Sequence, residues 1–337
     1  MNLVSEQSLY RKIHLLRFLL ILCVLIAHSE NYLQFGFQDG TLAYQIEHDV
    51  LASMEWVVSM FYMLSSFLFF QRFQWNQLLG KWKRRIHTLL IPYLIWNTIY
   101  FLLFALLPRI PFLASLINSE PAPLTFSSIL LGVFVHQYAG FLWFIKVLIL
   151  LTLLAPLFYV LLSKKYIAEL TMIALLVCLF HPPFPLPAVI NFNWRFVFFY
   201  ALGAYVALRA PNAARVTAPR ALRYILLAAI PLYAYLHTLY TTELFSVAVI
   251  LSLWFGINAE TVRDRSIFDT SFFVYLTHLL SFSLIKKLQY ALVPHTEAWM
   301  LISYFSVAWI AVLLLVPLAL LVRRYMPKVY AVLFGGR

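Results

Sequence analysis

The chain has 337 residues, of which 63% are hydrophobic and only 11% are charged. An ordinary soluble domain is about half apolar and about a quarter charged, so one soluble core of this length cannot hide the apolar excess and lipid must cover it. A formal net charge of +12 would suit a nucleic-acid binder, but the positive residues fall in short loops between apolar runs, which argues against nucleic acid as a partner.

Apolar runs recur along the whole chain, and each is long enough to cross ~30 Å of hydrocarbon as a helix. The runs lack the alternation of a transmembrane barrel strand, so helices are predicted. We therefore predict an all-α, multi-pass membrane protein of about ten transmembrane helices, with both termini cytoplasmic and a single domain over residues 1–337. The predicted spans are 13–33, 50–71, 87–108, 141–162, 166–182, 194–209, 222–240, 242–258, 267–287 and 298–322.

The first run begins after a positively charged stretch, as a signal peptide does. No small-x-small cleavage pattern follows it, and His28 and Glu30 interrupt its end, so we expect a retained first span. Further along, Gly140 divides an apolar stretch too long for one span, which predicts a short outer or re-entrant helix over 126–138. Spans seven and eight are divided at Thr241-Thr242-Glu243.

The positions of Lys and Arg give an independent test of this topology. With the N-terminus inside, 20 of the 25 Lys and Arg residues fall on the inner side and three on the outer side, in agreement with the positive-inside rule. The outer residues are Arg109, Lys286 and Lys287, and two more, Lys146 and Arg195, lie within or at the edge of spans.

Ionisable groups inside spans are costly and are therefore candidates for function. Arg17 and His28 lie eleven residues apart, close to three helical turns, so both side chains share one face at roughly 16 Å along the axis. This face would offer a cation at the inner mouth and a group that exchanges a proton near neutral pH. Alternatively, Arg17 reaches to the interface and His28 hydrogen bonds to a neighbouring helix.

Other polar residues near the spans have two readings each. Glu55, at the start of span two, either partners His28 or sits in the outer headgroup zone, and His278 is either catalytic or a buried hydrogen-bonded histidine. Arg195 anchors the interface or contacts substrate, and Lys146 reaches outward or lines a cavity. His136, in the presumed outer segment, is solvated or contacts a polar substrate.

The cluster Lys81-Trp-Lys-Arg-Arg85 is basic and predicted to be cytoplasmic. It either sets topology and binds anionic lipid, or receives a phosphate-bearing donor, for which the bidentate geometry of arginine is suited. Cys23 and Cys178 lie in apolar runs, so a structural disulfide is not expected. The histidines are scattered and no Cys/His ligand spacing occurs, so no metal site is predicted.

Several stretches in this order resemble acyltransferase family 3, the membrane-bound O-acyltransferases that act on carbohydrates. They are Arg17 and His28 with ten residues between them, Phe61-Tyr-Met-Leu-Ser-Ser-Phe-Leu68, Lys83-Arg-Arg with Ile91-Pro-Tyr-Leu-Ile-Trp96, Phe141-Leu-Trp-Phe-Ile145 and Val274-Tyr-Leu-Thr-His278. The chain departs from the family pattern at three places. Ser59 and Ser66 stand where the family often has an acidic residue and a glycine, and Phe141 stands where it often has a histidine.

The resemblance implies transfer of an acyl group, most often acetyl, from cytoplasmic acyl-coenzyme A to a hydroxyl of a cell-envelope carbohydrate or lipid-linked sugar. The enzyme would lie in the bacterial inner membrane and modify polysaccharide by O-acetylation, with no bound cofactor. The expected catalytic residues are His28, Glu55 and His278; the expected acyl-coenzyme A ligands are Arg17, Arg84 and Arg85; the expected acceptor contacts are His136, Trp143, Lys146 and Arg195.

Two other function classes fit parts of the pattern. A transporter or flippase for a sugar-containing or small polar substrate would use the embedded Arg and His as substrate or proton sites, although no repeated halves of the kind often found in carriers are visible. A membrane sensor or scaffold would not need Arg17 and His28 on one face.

Overall fold

The computed structural model describes residues 3–36, 40–110, 120–186, 192–236 and 242–336. Within these ranges the chain is helical, and the only β pairing is an isolated bridge between Leu3 and Val216, so the predicted all-α fold is confirmed. The α-helices are α1 Glu6–Ala27, α2 Tyr32–Phe35, α3 Leu42–Ala52, α4 Trp56–Phe70, α5 Leu78–Arg85, α6 Ile91–Leu106, α7 Phe126–Phe134, α8 Trp143–Leu153, α9 Ala155–Ser163, α10 Lys165–Phe180, α11 Trp194–Arg209, α12 Arg220–Leu236, α13 Thr242–Gly256, α14 Ser271–Leu292, α15 Glu297–Tyr325 and α16 Pro327–Phe334.

Four helical segments of the described chain are long and apolar enough to cross a membrane. They are Leu42–Phe70, Trp75–Arg109, Ser266–Leu292 and Glu297–Tyr325, and the bent pair α8 and α9 is a fifth if it counts as one span. Large apolar side chains on outward faces remain exposed, such as Leu170 on α10 and Leu313 on α15. Because such faces need an apolar environment, the fold is that of a multi-pass membrane protein.

Each of the ten predicted spans overlaps a helix, but two differ in form. The first helix ends at Ala27, six residues before the predicted end at 33, and His28 is its C-cap. The fourth predicted span is broken at Leu154, where α8 and α9 meet at 54°. Pro156 accounts for this break, because proline lacks an amide hydrogen and its ring clashes with the preceding turn.

Two further predictions concern helix boundaries. The short helix expected over 126–138 is present as α7, which ends at Phe134. The division between spans seven and eight involves Thr241, which lies outside the described residues, while α13 begins at Thr242.

The core is centred where α11 packs against α4. Tyr62 and Met60 of α4 and Phe199 and Tyr200 of α11 are fully buried there. The two helices approach so closely that a Cβ at Gly203 would clash with the backbone carbonyl of Met63. Glycine is therefore required at this crossing, because only a residue without a side chain lets the two backbones touch.

This close contact predicts a stability defect for Gly203→Ala. The added methyl group forces α11 away from α4, and overpacking of this kind costs about 1–3 kcal/mol. Thermal unfolding of the purified protein in detergent should show a lower Tm. Gly80→Ala is the control, since the helical Gly80 has no neighbouring atom within 4 Å of its would-be Cβ and alanine favours helix. An unchanged Tm for Gly203→Ala would contradict the packing.

Candidate functional site

A cavity of about 490 Å³ lies between α1, α4, α8 and α14 and the segment that joins α5 to α6. One face of α1 forms a continuous wall of it, with side chains at the spacing of a single helical stripe. This stripe is His14, Arg17, Ile21, Val24 and His28. The structure thus places Arg17 and His28 on one face, which opens onto a shared cavity.

One end of the cavity is cationic. Arg84 and Arg85 of α5 line it together with Arg17 of α1 and Lys81, which sequence reasoning noted only as part of the basic cluster. Arg85 donates to the carbonyl of Ser65 at 3.2 Å, and Lys81 donates to the carbonyl of Phe69. The guanidinium of Arg17 has no hydrogen-bond partner among the described residues, so its donors are available to an anionic ligand.

A five-residue π-helix, Ile86–Leu90, connects α5 to α6. Such segments add a residue to the helical turn and occur mostly at functional sites. Here the π-helix separates the basic residues of α5 from the apolar start of α6, and its Thr88 and Leu89 line the cavity.

Asp269 is the acidic side chain that lines the cavity within the described chain. Its carboxylate lies 3.1 Å from Nδ1 of His14 and 3.1 Å from a guanidinium nitrogen of Arg323. Both carboxylate oxygens of Asp269 are therefore engaged. The electrostatic potential at this end of the cavity stays positive. The sequence offered no sign of this pairing, because the three residues are far apart in the chain.

His28 lies at the other end of the cavity. Its ring centroid is 5.2 Å from that of His278, with 37° between the two planes. No described residue hydrogen bonds to either ring nitrogen of His28, so the imidazole is free to accept a proton from a ligand. The two histidines that the sequence singled out are therefore neighbours.

His278 is fully buried and does not line the cavity. Its Nδ1 lies 2.6 Å from the carbonyl oxygen of Tyr275, a contact that requires a proton on Nδ1. Its Nε2 then carries a lone pair, and that atom is buried without a hydrogen-bond partner. The structure thus fixes the tautomer and ring orientation of His278 behind His28.

The backbone just after His28 is held by two ionisable residues that sequence reasoning missed, the half-buried Lys286 and the buried Glu47. Lys286 of α14 donates to the carbonyls of His28 at 3.0 Å and Glu30 at 2.6 Å. Glu47 of α3 accepts from the amides of Asn31 at 3.0 Å and Tyr32 at 3.3 Å. A cation against carbonyls at the end of a helix is favourable, so this arrangement fixes the position at which α1 ends.

Glu55 does not contact His28. Its carboxylate forms an ion pair with Arg195 at 2.7 Å, which links the starts of α4 and α11. Charge attraction explains this choice, because a guanidinium is permanently positive whereas an imidazole is not. Of the two roles that the sequence left open for Glu55, the partnership with His28 is therefore not observed, and Glu55 instead pairs with Arg195, which had been assigned a separate role.

The remaining acceptor-side candidates are dispersed. Trp143 lines the cavity, but His136, Lys146 and Arg195 do not. His136 adopts a positive φ of 54°, and burial, together with the positive charge of Lys146, lowers its pKa to about 4. His136 is therefore neutral at physiological pH. Among the described residues, no group of three or more His, Cys, Asp and Glu side chains is arranged to hold a metal ion.

Comparison with known protein families gives a match over most of the chain. The sequence profile of the family described as an acyltransferase domain, acyltransferase family 3, matches residues 10–324. No curated protein and no solved structure matches the chain. The matched region begins within α1 and ends within α15, so it includes every candidate site residue discussed above. The chain belongs to acyltransferase family 3.

Proposed function

We propose that this protein is a membrane O-acyltransferase that moves an acyl group, most simply acetyl, from cytoplasmic acyl-coenzyme A to a hydroxyl of a cell-envelope carbohydrate or lipid-linked sugar. The observation that carries the proposal is the cavity that joins a cationic end, with Arg17, Arg84 and Arg85, to the free imidazole of His28. An acyltransferase that uses coenzyme A needs both features, and it needs them in one connected space. Family membership supports acyl transfer in general.

The cationic end is proposed to bind the donor. Coenzyme A carries several phosphate charges, and guanidinium groups bind phosphate through paired charge-assisted hydrogen bonds. Arg17 has unused donors inside the cavity, and Arg84 lies at its exposed rim. With the phosphates held here, the acyl end of the extended pantetheine arm points along α1 towards His28.

His28 is proposed to act as the general base. Its neutral imidazole takes the proton of the acceptor hydroxyl while the hydroxyl oxygen attacks the thioester carbonyl carbon. The carbon–sulfur bond then breaks, the ester bond remains, and the proton passes from His28 to the departing thiolate. The acceptor hydroxyl has to enter at the His28 end of the cavity, where Trp143 and Tyr275 form part of the wall.

His278 and Glu55 are proposed to assist from a distance. The ring of His278 is held by its contact with the carbonyl of Tyr275 and packs against the ring of His28, so it would limit the orientations that His28 can adopt. The Glu55–Arg195 pair would act on the acceptor side, where the exposed carboxylate of Glu55 offers hydrogen-bond acceptors to sugar hydroxyls. His136 and Lys146 remain weaker candidates for the same acceptor role.

The proposed setting is the bacterial inner membrane, crossed ten times, with both termini in the cytoplasm. The alternation of basic segments along the chain supports this topology. The helix observed at each of the ten predicted positions supports it too. In this orientation the cationic end of the cavity faces the compartment that holds acyl-coenzyme A.

Replacement of His28 tests the proposed base. A positioned general base contributes roughly 10²–10⁴-fold, so we expect His28→Ala to lower kcat by at least the lower figure. The measurement is transfer of radiolabel from acetyl-coenzyme A to the membrane glycan fraction at matched expression. His181→Ala, at an exposed histidine outside the cavity, should retain wild-type transfer. Wild-type transfer by His28→Ala would show that His28 is not the general base. Absence of transfer by the wild-type protein would favour the transporter alternative.

Replacement of Arg17 tests the donor end separately. Loss of a hydrogen bond to a charged group costs about 1.5–3 kcal/mol, so Arg17→Ala should raise the KM for acetyl-coenzyme A about tenfold or more while kcat changes little. Arg17→Lys keeps the positive charge but loses the paired hydrogen-bond donors of the guanidinium, so its KM should lie between those of the wild type and Arg17→Ala. Arg220→Ala is the control, since Arg220 packs on Tyr224 away from the cavity. A fall in kcat at constant KM would contradict donor binding.

A further inference from the structure

Two consecutive glycines follow α16 and line the cationic end of the same cavity. Gly335 and Gly336 have φ values of 68° and 65°, in the left-handed region that favours glycine. Gly335 also packs against the backbone of Thr88 in the π-helix, where an added Cβ would lie 2.8 Å from the Thr88 carbonyl oxygen. Both the conformation and the close approach therefore require glycine at position 335.

The amide groups of this turn have no hydrogen-bond partner in the part of the chain that the structure describes. Neither Gly335 nor Gly336 donates a backbone hydrogen bond to any described residue. A right-handed helical residue followed by a left-handed one directs consecutive amides into a shared concavity, which is a known anion-binding shape. Phe334, the last residue of α16, and Gly335 have this order of conformations.

The turn is anchored firmly from behind. Phe334 is buried and its ring lies 4.4 Å from that of Phe273. Trp96 of α6 donates from its indole nitrogen to the carbonyl of Leu333 at 3.0 Å. Because these contacts immediately precede the glycines, the turn has a fixed place against α6 and α14 rather than hanging free at the surface.

The charged side chains of the cavity supply the second line of argument. Arg17, Lys81, Arg84 and Arg85 line the same cavity as the two glycines. Unpaired backbone amides beside several cations form a site for a polyanion, because the amides add directional hydrogen bonds where the side chains add charge.

We propose that the Gly335–Gly336 turn is part of the donor site and supplies backbone amide donors to a phosphate group of coenzyme A. This inference rests on the proposed function and extends it to a segment beyond the region matched by the family profile. The side chains of α1 and α5 then bind the phosphates from one side, and the turn after α16 binds them from another.

The test uses a matched pair of variants at Gly336, where an added Cβ makes ordinary contacts with Ala331. Gly336→Asn and Gly336→Asp have the same shape and both tolerate a positive φ, but only the aspartate places a negative charge at the site. Calorimetric titration of the purified full-length protein with coenzyme A should show the affinity of Gly336→Asp reduced about tenfold or more by like-charge repulsion. Gly336→Asn is the reference for any steric effect of the added side chain, so the affinity of Gly336→Asp is compared with that of Gly336→Asn, and equal Tm values would show that both variants fold.

Pantetheine, which lacks the phosphates, is the ligand control, and its affinity should be the same for both variants. If Gly336→Asp binds coenzyme A as tightly as the wild type, the inference is overturned while the proposed function stands. The same holds if Gly336→Asn loses as much affinity as Gly336→Asp, because that loss would be steric. An effect confined to binding of phosphatidylglycerol would assign the turn to a lipid headgroup and also overturn the inference. Failure of the wild type itself to bind coenzyme A would instead overturn the proposed donor.

Discussion

The position of the candidate base depends on how α1 ends. The amide of His28 still donates to the carbonyl of Val24 at 3.0 Å, as in a helix. The ammonium of Lys286 binds the carbonyls of His28 and Glu30 and so takes the place of further helical hydrogen bonds. The carboxylate of Glu47 accepts hydrogen bonds from the amides of Asn31 and Tyr32. A half-buried cation and a buried carboxylate thus turn the chain at this point. The cavity, the pairing of the two histidines and the proposed chemistry all depend on that turn.

The two ends of the cavity differ in how their charges are satisfied. At the cationic end Asp269 is occupied by His14 and Arg323, so it leaves the donors of Arg17 free. At the other end the unsatisfied groups are neutral ones, the ring nitrogens of His28 and the buried Nε2 of His278. A bound polyanion and an uncharged hydroxyl therefore have separate places. This separation is what an enzyme that joins a phosphate-bearing donor to a sugar requires.

The features that depend on local periodicity could be predicted from the sequence. The common face of Arg17 and His28 follows from the helical repeat, and the helical segments follow from apolar runs. The contacts that complete the site were not predictable in this way, because each joins residues distant in sequence. Lys286 was placed among the outer-segment charges, and a partnership with His28 was one of two possible roles for Glu55. Packing brings Lys286 to the end of α1 and Glu55 to Arg195. The early end of α1 was missed for the same reason, since the side chain that ends it lies on α14.

The stretch between the two ends has its own consequence. Ile21, Val24, Leu64 and Phe144 line it, and none of these side chains has a group that holds water. If the proposed donor occupies this stretch, its apolar wall would keep the thioester from water until the carbonyl carbon reaches the imidazole. The same wall would then protect the acyl group from wasteful hydrolysis. An activated acyl group would survive inside the protein while the enzyme waits for an acceptor.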